Sequence, residues 1–399
     1  MDKALQRFID YVKIDTQSDD TSFSVPSQAK ELDLSRRLIA DLKEMGIDAY
    51  LNEYGIVYGK LLGEEGLDPI GLNAHVDTAL ECSGKDVKPQ IIKKYDGGVI
   101  KLNDEYSMSP KEFPTLGDHI GDDLVVTSGD TLLGADDKAG VAEIMAVLDY
   151  YVSHPEVKHH TICFCFTPDE EIGRGPDHFD AKEFGAKYAY TVDGGIYDEI
   201  ACETFNAAHA VVRIHGVSIH PGEAKGKMVN ASDVAFAFDK ALPEKKRPQF
   251  TSGYEGFNHL VGMTGSVDYA EMHYIIRNHD LGKLEEQKEE FRKAREVALA
   301  LFPSASIDLE IGDDYRNMKE VLDRNPEAIE KAKKAYEKLG IKIRFNPIRG
   351  GTDGATFSFK GCPTPNLGTG SYNHHGRFEY VSVREFNTMI EILKEIVKA

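Results

Sequence analysis

The stretch TICFCFTPDEEIG, residues 161–173, joins an apolar segment of strand length to a cluster of acidic residues. Residues 161–166 form a short, near-continuous apolar run, which is typical of a strand buried on both faces of a sheet. Asp169, Glu170 and Glu171 follow directly. Three adjacent carboxylates repel one another unless cations neutralise them. We therefore expect a buried strand whose end carries a metal site.

Outward from this strand, apolar runs alternate with segments of helical periodicity over most of the chain. This alternation favours an α/β fold, in which a sheet is covered by helices and functional residues lie at strand ends. Strands are predicted at 56–62, 69–74, 124–127, 161–166 and 188–192, and helices at 4–12, 32–45, 138–151, 318–339 and 384–397.

The pattern changes between residues 207 and 315, which indicates a smaller inserted α+β domain. We therefore predict two domains, one discontinuous over 1–206 and 316–399 and one over 207–315. Within the insertion, strands are predicted at 210–214 and 270–276, and helices at 233–242 and 284–302.

Composition excludes several classes of protein. Of the 399 residues, 41% are hydrophobic, and no apolar run approaches the roughly 20 residues that a membrane-spanning helix needs. A net charge of −20 repels nucleic acids and anionic membranes. The five cysteines form no CxxC pair, and Cys163 and Cys165 suit one face of a strand. With no secretion signal in its sequence, the protein is predicted to be cytoplasmic and to bind neither nucleic acid nor membrane.

The motif HVDT begins with His75, directly after the predicted strand 69–74. At strand spacing His75 and Asp77 point the same way. A histidine can offer one ring nitrogen to a metal while a nearby carboxylate accepts the other ring N–H. Alone, this pair is also compatible with an ordinary buried histidine.

Further acids follow other predicted elements. Asp136 and Asp137 stand at the start of the predicted helix 138–151, where helix capping explains one carboxylate but not the glycine-flanked pair. Asp193 follows the strand 188–192. Together with His75, the glutamates and the histidine doublet of NHHG, these residues offer only N and O donors, as zinc takes in hydrolytic sites.

Eight segments together resemble the tripeptidase members of the co-catalytic zinc peptidase family, which also holds aminoacylases and several carboxypeptidases. The resemblance runs in register over essentially the whole chain. The segments are HVDT (75–78), LLGADDKAG (132–140), TPDEEIG (167–173), TVDGG (191–195), HPGEAKGKMVNA (220–231), AEMHYIIR (270–277), IRGGTDGA (348–355) and NHHG (373–376).

The resemblance implies two Zn²⁺ ions per subunit, with Asp136 as the bridge between them. Glu170 would be the general base, and Asp77 would orient His75. His375 is selected over His374 because the family ligand directly precedes the glycine. The implied metal ligands are His75, Asp136 and Asp193 for one ion, and Asp136, Glu171 and His375 for the other.

The same resemblance implies an enzyme that removes the N-terminal residue from tripeptides, using a zinc-activated water. The fold would be a zinc-peptidase domain with a mixed sheet covered by helices. The insertion would be a lid and dimerisation domain, so a homodimer is expected. The implied substrate-binding residues are His220, Asn230, Arg277 and Arg349.

Other functions share this set of residues. An N-acyl-amino-acid hydrolase or a carboxypeptidase of the same family would carry the same ligands. A non-catalytic peptide-binding protein that retains the fold is a third possibility, which the complete set of ligands and base disfavours.

Overall fold

The computed structural model describes residues 3–399, so the first two residues of the predicted catalytic domain lie outside the described part. Two units are distinguished, and each has its own hydrophobic core. The larger unit comprises Met1–Cys202, Met318–Asn346 and Thr352–Ala399. The smaller unit comprises Glu203–Asn317 and Pro347–Gly351.

Ten α-helices are distinguished in the described residues, two of them in the smaller unit. Among residues 3–399, no helix combines the length and the apolar composition needed to cross a membrane. The helices are α1 (Lys3–Tyr11), α2 (Glu31–Glu44), α3 (Ala135–Ser153), α4 (Ala181–Phe184), α5 (Ala231–Ala241), α6 (Leu281–Leu301), α7 (Lys319–Arg324), α8 (Glu327–Lys338), α9 (Asp353–Phe359) and α10 (Val383–Val397).

The strands form one eight-stranded sheet, two four-stranded sheets and one two-stranded ribbon. They are β1 (Ala49–Leu51), β2 (Val57–Leu61), β3 (Ile70–His75), β4 (Gln90–Ile92), β5 (Ile100–Lys101), β6 (Ser107–Met108), β7 (Leu124–Val126), β8 (Ile162–Thr167), β9 (Tyr188–Gly194), β10 (Glu199–Ala201), β11 (Asn206–His215), β12 (Phe257–Gly265), β13 (Tyr269–Asn278), β14 (Ser306–Tyr315), β15 (Arg344–Phe345), β16 (Asn366–Gly368), β17 (Ser371–Tyr372) and β18 (Tyr380–Ser382).

The eight-stranded sheet of the larger unit is mixed, in the order β1-β2-β8-β3-β9-β16-β10-β15. Its centre is parallel: β3 pairs in parallel with β8 and β9, and β9 with β16. Every residue of β8 is buried. Phe164 and Phe166 belong to one hydrophobic cluster, while Cys163 and Cys165 belong to another on the opposite face. The two-faced burial inferred from the apolar run is therefore present.

Helix α3 packs directly on the central strands β3 and β9, and α1 and α10 pack on α3. Most of its residues are buried, which is characteristic of a helix enclosed on all sides. Its backbone departs from helical geometry at Asp136 (φ −82°, ψ 102°) and Asp137 (φ −121°, ψ 32°). The regular part of the helix therefore begins after the two aspartates, as the sequence predicts.

The smaller unit is an antiparallel sheet with helices on one face. Its strands lie in the order β12-β13-β11-β14, and α5 and α6 pack on β11 and β13. Buried residues alternate along β13, which is the pattern of a sheet with one covered face. Its elements include all four that were predicted for the insertion.

One predicted helix is wrong. Residues 318–339 form two helices, α7 and α8, rather than one. The break falls at Asn325 and Pro326. Proline has no backbone N–H, so inside a continuous helix Pro326 would leave one helical hydrogen bond unmade. Pro326 instead lies at the N-cap, directly before the first residue of α8.

Close packing of β2 on β8 predicts that Gly59→Ala destabilises the larger unit. A Cβ atom at Gly59 would lie 2.2 Å from Cζ of the buried Phe164. We expect the free energy of unfolding to fall by about 1–3 kcal/mol in urea denaturation. Gly117→Ala is the matched control, since nothing lies within 4 Å of its added Cβ. Equal stability of the two variants would contradict the packing.

Candidate metal centre

Three neighbouring parallel strands bring the predicted site residues to one edge of the sheet. His75 is the last residue of β3 and pairs with Thr167, the last residue of β8. Asp193 lies one residue before the end of β9. Because these strands run in parallel, their carboxyl ends meet at the same edge.

The two carboxylate oxygens of Asp136 face two different pairs of donor atoms. Nε2 of His75 lies 3.0 Å from Asp136 Oδ1 and 3.5 Å from Asp193 Oδ1. Nε2 of His375 lies 3.3 Å from Asp136 Oδ2 and 3.2 Å from Glu171 Oε2. All five residues predicted as metal ligands are thus brought together, with Asp136 in the middle.

Two triplets in the described residues have donor atoms within 4.8 Å of one another, the spacing of a metal site. One is His75, Asp136 and Glu171, and the other is His75, Asp137 and Asp193. The oxygens of Asp137, however, accept backbone N–H groups from His75 at 3.1 Å and Gly140 at 3.2 Å. Asp137 therefore shapes the backbone, whereas the side chain of Asp136 faces the histidines.

The histidine doublet occupies a tight turn. Asn373 and His375 have left-handed backbone angles, with φ of 56° and 65°. The ring of His374 shares a hydrogen bond of 2.8 Å with Ser371 Oγ and approaches Asp136 Oδ2 at 3.5 Å. His375 contacts both Asp136 and Glu171 with one ring nitrogen, so it is the better placed of the two as a ligand.

Burial of the acids controls their protonation. Burial raises the pKa of Glu171 to about 11, and the charges of Asp136 and Glu170 add to this effect while His75 opposes it. Burial also raises the pKa of Asp193 to about 6, again with help from Asp136. Carboxyls in this environment hold protons that a cation would displace.

The pKa values of the two histidines are raised as well, but by the neighbouring carboxylates rather than by burial. Burial disfavours the charged form of His75, but the carboxylates of Asp193, Asp136 and Asp77 outweigh it and raise its pKa well above the usual range. The hydrogen bond to Asp136 raises the pKa of His375 to about 9 against the effect of burial. Without a metal, the two protonated histidines therefore form ion pairs with neighbouring carboxylates, and both of them contact Asp136.

Asp77 links His75 to the loop that carries the two glutamates. It is fully buried, and its Oδ1 lies 3.3 Å from Nδ1 of His75. The same carboxylate accepts the backbone N–H of Glu170 at 3.0 Å and of Glu171 at 3.1 Å. One side chain thus fixes the ring of His75 and the start of the short helix Glu170–Ile172.

The four predicted substrate-binding residues belong to the smaller unit. His220 is exposed, and its ring nitrogen accepts the N–H of Gly222 at 3.2 Å. Asn230 caps α5 by accepting the N–H of Ser232 at 3.0 Å. Both side chains have local structural partners.

The two arginines of this unit are also engaged. Nη1 of Arg277 donates to the carbonyl of Ala208 at 3.0 Å and lies 3.4 Å from Asp314. Arg349 donates to the carbonyls of Gly253 and Glu255, at 2.6 and 2.8 Å. The two guanidinium groups are therefore held in defined positions.

Comparison with known proteins decides the family. Residues 132–399 match the family model of peptidase family M20/M25/M40. The chain belongs to this peptidase family. Peptidase T of Bacillus subtilis is 46% identical over 402 aligned residues, which cover 100% of this chain and 98% of that protein. The predicted family and enzyme class, a metal-dependent aminopeptidase, are confirmed.

Solved structures agree with the M20/M25/M40 fold. A tripeptidase from Staphylococcus aureus superposes with a TM-score of 0.79 at 20% identity. Aminopeptidase PepT from Bacillus cereus superposes with a TM-score of 0.76 at 24% identity. Each alignment covers 99% of this chain and 97% of the other. The predicted fold class, a mixed sheet covered by helices with a smaller α+β domain, is confirmed.

Glu379, which was not predicted as a site residue, shapes the loop before Asp136. This glutamate is 1% exposed. One of its oxygens accepts the backbone N–H groups of Leu133 and Gly134, each at 2.7 Å, and the other accepts that of Asp136 at 3.0 Å. The only signal in the sequence is an acid three residues beyond NHHG.

A buried cation, Lys138, was also missed. Its Nζ donates to the carbonyl of Ile14 at 2.7 Å, and its side chain is 1% exposed. Burial lowers its pKa to about 8, while the charges of Asp15, Glu379 and Asp77 oppose this effect. Lys138 therefore supplies a buried positive charge that interacts with Asp77 and Glu379.

We expect Glu379→Ala to weaken metal binding by about 10–100-fold, because three buried N–H groups lose their acceptor and Asp136 shifts. The apparent affinity for Zn²⁺ would be measured with a competing chelator, and the fold by far-UV circular dichroism. Glu379→Gln should give an intermediate loss, since its amide offers one acceptor oxygen. The exposed Glu391→Ala serves as control. Unchanged affinity in folded Glu379→Ala would refute the assignment.

Proposed function

We propose that the protein is a two-zinc aminopeptidase that removes the N-terminal residue from tripeptides. The observation that carries the proposal is the position of Asp136, whose two oxygens face the His75–Asp193 pair and the His375–Glu171 pair. This arrangement suits a carboxylate that bridges two cations.

The donor set fits zinc. All five side chains offer N or O atoms, and no cysteine is among them. Within the described residues, the buried Oε1 of Glu171 has no hydrogen-bond partner, so a cation would satisfy it. His75, Asp136 and Asp193 would hold one ion, and Asp136, Glu171 and His375 the other. When bound, the ions would supply Lewis acidity that acidifies water and polarises the scissile carbonyl.

Glu170 is the residue suited to proton transfer. Its backbone is tied to Asp77, so its side chain starts from a fixed position beside Glu171. Burial, with the charges of Asp193, Asp353 and Asp77, raises its pKa well above the usual range, although His75 opposes the effect. A carboxylate of raised basicity accepts a proton from the attacking water and returns it to the leaving amine.

We infer the substrate class from the relatives of the chain and from the positive charge of two arginines, which suits a peptide carboxylate. Peptidase T of Bacillus subtilis is 46% identical over the full chain, and a solved tripeptidase shares the fold. We assign residues 207–315 to a lid and dimerisation domain, and residues 1–206 and 316–399 to a catalytic domain. His220, Asn230, Arg277 and Arg349 would receive the peptide backbone and its carboxylate, for which an arginine fork is suited.

Two further proposals concern the cellular location and the oligomeric state of the enzyme. Five free cysteines, three of them buried, suit a reducing cytoplasm. The smaller unit has two edge strands, β12 and β14, through which copies of the chain could pair as a homodimer.

The substrate proposal is tested by assaying hydrolysis of a tripeptide panel, of dipeptides and of N-acetyl amino acids, before and after chelation. For each peptide, the assay records whether the N-terminal or the C-terminal residue is released. We expect N-terminal release from tripeptides alone, lost with chelator and restored by added Zn²⁺. Preference for N-acetyl amino acids would identify an acylase, and release from the C-terminus would identify a carboxypeptidase. Turnover of none of these by zinc-loaded protein would favour a peptide-binding protein.

The general-base assignment predicts that Glu170→Ala binds both metal ions yet loses turnover by at least about 10²-fold, since no other group takes the proton. Zinc content by atomic absorption and kcat for a tripeptide check this. Substantial activity with full zinc content would show that another residue is the base.

The protonation state of the centre predicts that metal binding releases protons. The pKa values of Glu171, about 11, and His375, about 9, lie above 7, so both groups are protonated at pH 7 in the apoprotein. Because ligands must be deprotonated, zinc displaces these protons, and apparent affinity rises with pH. Calorimetric titrations in two buffers of different ionisation enthalpy should therefore give different heats, with a smaller difference for Glu171→Gln. Heats independent of buffer would contradict the prediction.

A further inference from the structure

We propose that Glu81 receives the α-ammonium group of the peptide and so makes the enzyme specific for a free N-terminus. This inference rests on the proposed aminopeptidase function, and it assigns a role to a residue of the loop that follows HVDT.

Glu81 is connected to the metal centre through the imidazole ring of His375. Its Oε1 is 3.3 Å from Nδ1 of His375. The other ring nitrogen of His375 contacts Asp136 and Glu171. A group bound by Glu81 would therefore lie beside the bond that the centre attacks, which is where the N-terminal residue of a substrate must sit.

Glu81 is also the carboxylate with free access to solvent. The other acids around the centre are largely buried and engaged: Asp77, Asp137 and Glu379 accept backbone N–H groups. Asp353 is 2% exposed and accepts a threonine hydroxyl. The side chain of Glu81, by contrast, is 65% exposed.

No lysine or arginine competes for this carboxylate. Within residues 3–399, Glu81 forms no ion pair with a lysine or arginine, and His375 is its hydrogen-bond partner. An exposed carboxylate without a lysine or arginine partner, at the rim of a site, binds an ammonium group through charge-assisted hydrogen bonds. A peptide with a blocked N-terminus lacks this group and gains nothing from Glu81.

The competing explanation is that Glu81 only orients His375 through their 3.3 Å contact. Glu81→Gln separates the two roles, because its amide oxygen can still accept from Nδ1 while the negative charge is gone. Glu81→Ala removes both the contact and the charge, and Glu81→Asp keeps the charge. Glu65→Gln is the control for net charge, since Glu65 is exposed in the loop before β3, at the opposite end of that strand from His75.

The experiment compares trialanine with propionyl-dialanine, which differs only by lacking the ammonium group, on zinc-loaded protein. We expect Glu81→Gln to lower kcat/KM for trialanine about tenfold or more and to change that for propionyl-dialanine less than about twofold. Glu65→Gln should match the wild type, and Glu81→Asp should retain most of the preference. Equal losses on both substrates, or no loss on either, would overturn the inference.

Binding provides a second readout that does not depend on turnover. Calorimetry would give the Kd of a ketomethylene analogue of trialanine, with and without its amino group, for each zinc-loaded variant. Glu81→Gln should weaken only the amino form, and equal Kd shifts for both forms would again reject the role. If the wild type binds both analogues but hydrolyses no tripeptide, the proposed function fails while the binding data still decide the role of Glu81.

Discussion

Repulsion among carboxylates at one edge of the central sheet is the constraint around which the larger unit is organised. Asp77, Asp136, Glu171 and Asp193 converge within hydrogen-bond range of two histidines. Burial disfavours the charged form of such groups, and each neighbouring negative charge adds to the cost. A fold that places them together must therefore supply compensating hydrogen bonds and positive charge.

Backbone hydrogen bonds supply part of the compensation. Asp77 and Glu379 each bind the N–H groups of a separate loop, and these loops carry Glu171 and Asp136. The charges thereby fix the loop conformations, and the loops in turn hold the charges. Lys138 adds a buried positive charge. His75 and His375, which contact the carboxylates directly, add two more. Metal ions would replace the protons on these histidines and on Glu171.

The residue pattern indicated strand ends well, whereas the choice within a pair, Asp136 over Asp137 and His375 over His374, came from the family resemblance. An apolar run followed by acids located His75, Glu171 and Asp193 because strand direction is a local property. Asp136 and Asp137 are the same residue type, and in the structure the hydrogen bonds of Asp137 to backbone N–H groups separate them. The role of Glu379 could not be predicted from the sequence pattern, because its hydrogen-bond partners lie more than 240 residues away in the chain.

The register of β3 on β8 has a consequence for how chain length can vary during evolution. His75 stands opposite Thr167, and the N–H of Val76 binds the carbonyl of that threonine at 2.8 Å. One inserted residue in either strand would move its end by about 3.3 Å and turn the side chains to the other face. Segments such as 109–113 carry no such restriction. Gains and losses of residues are therefore confined to the loops, while the spacing from strand to acid stays fixed.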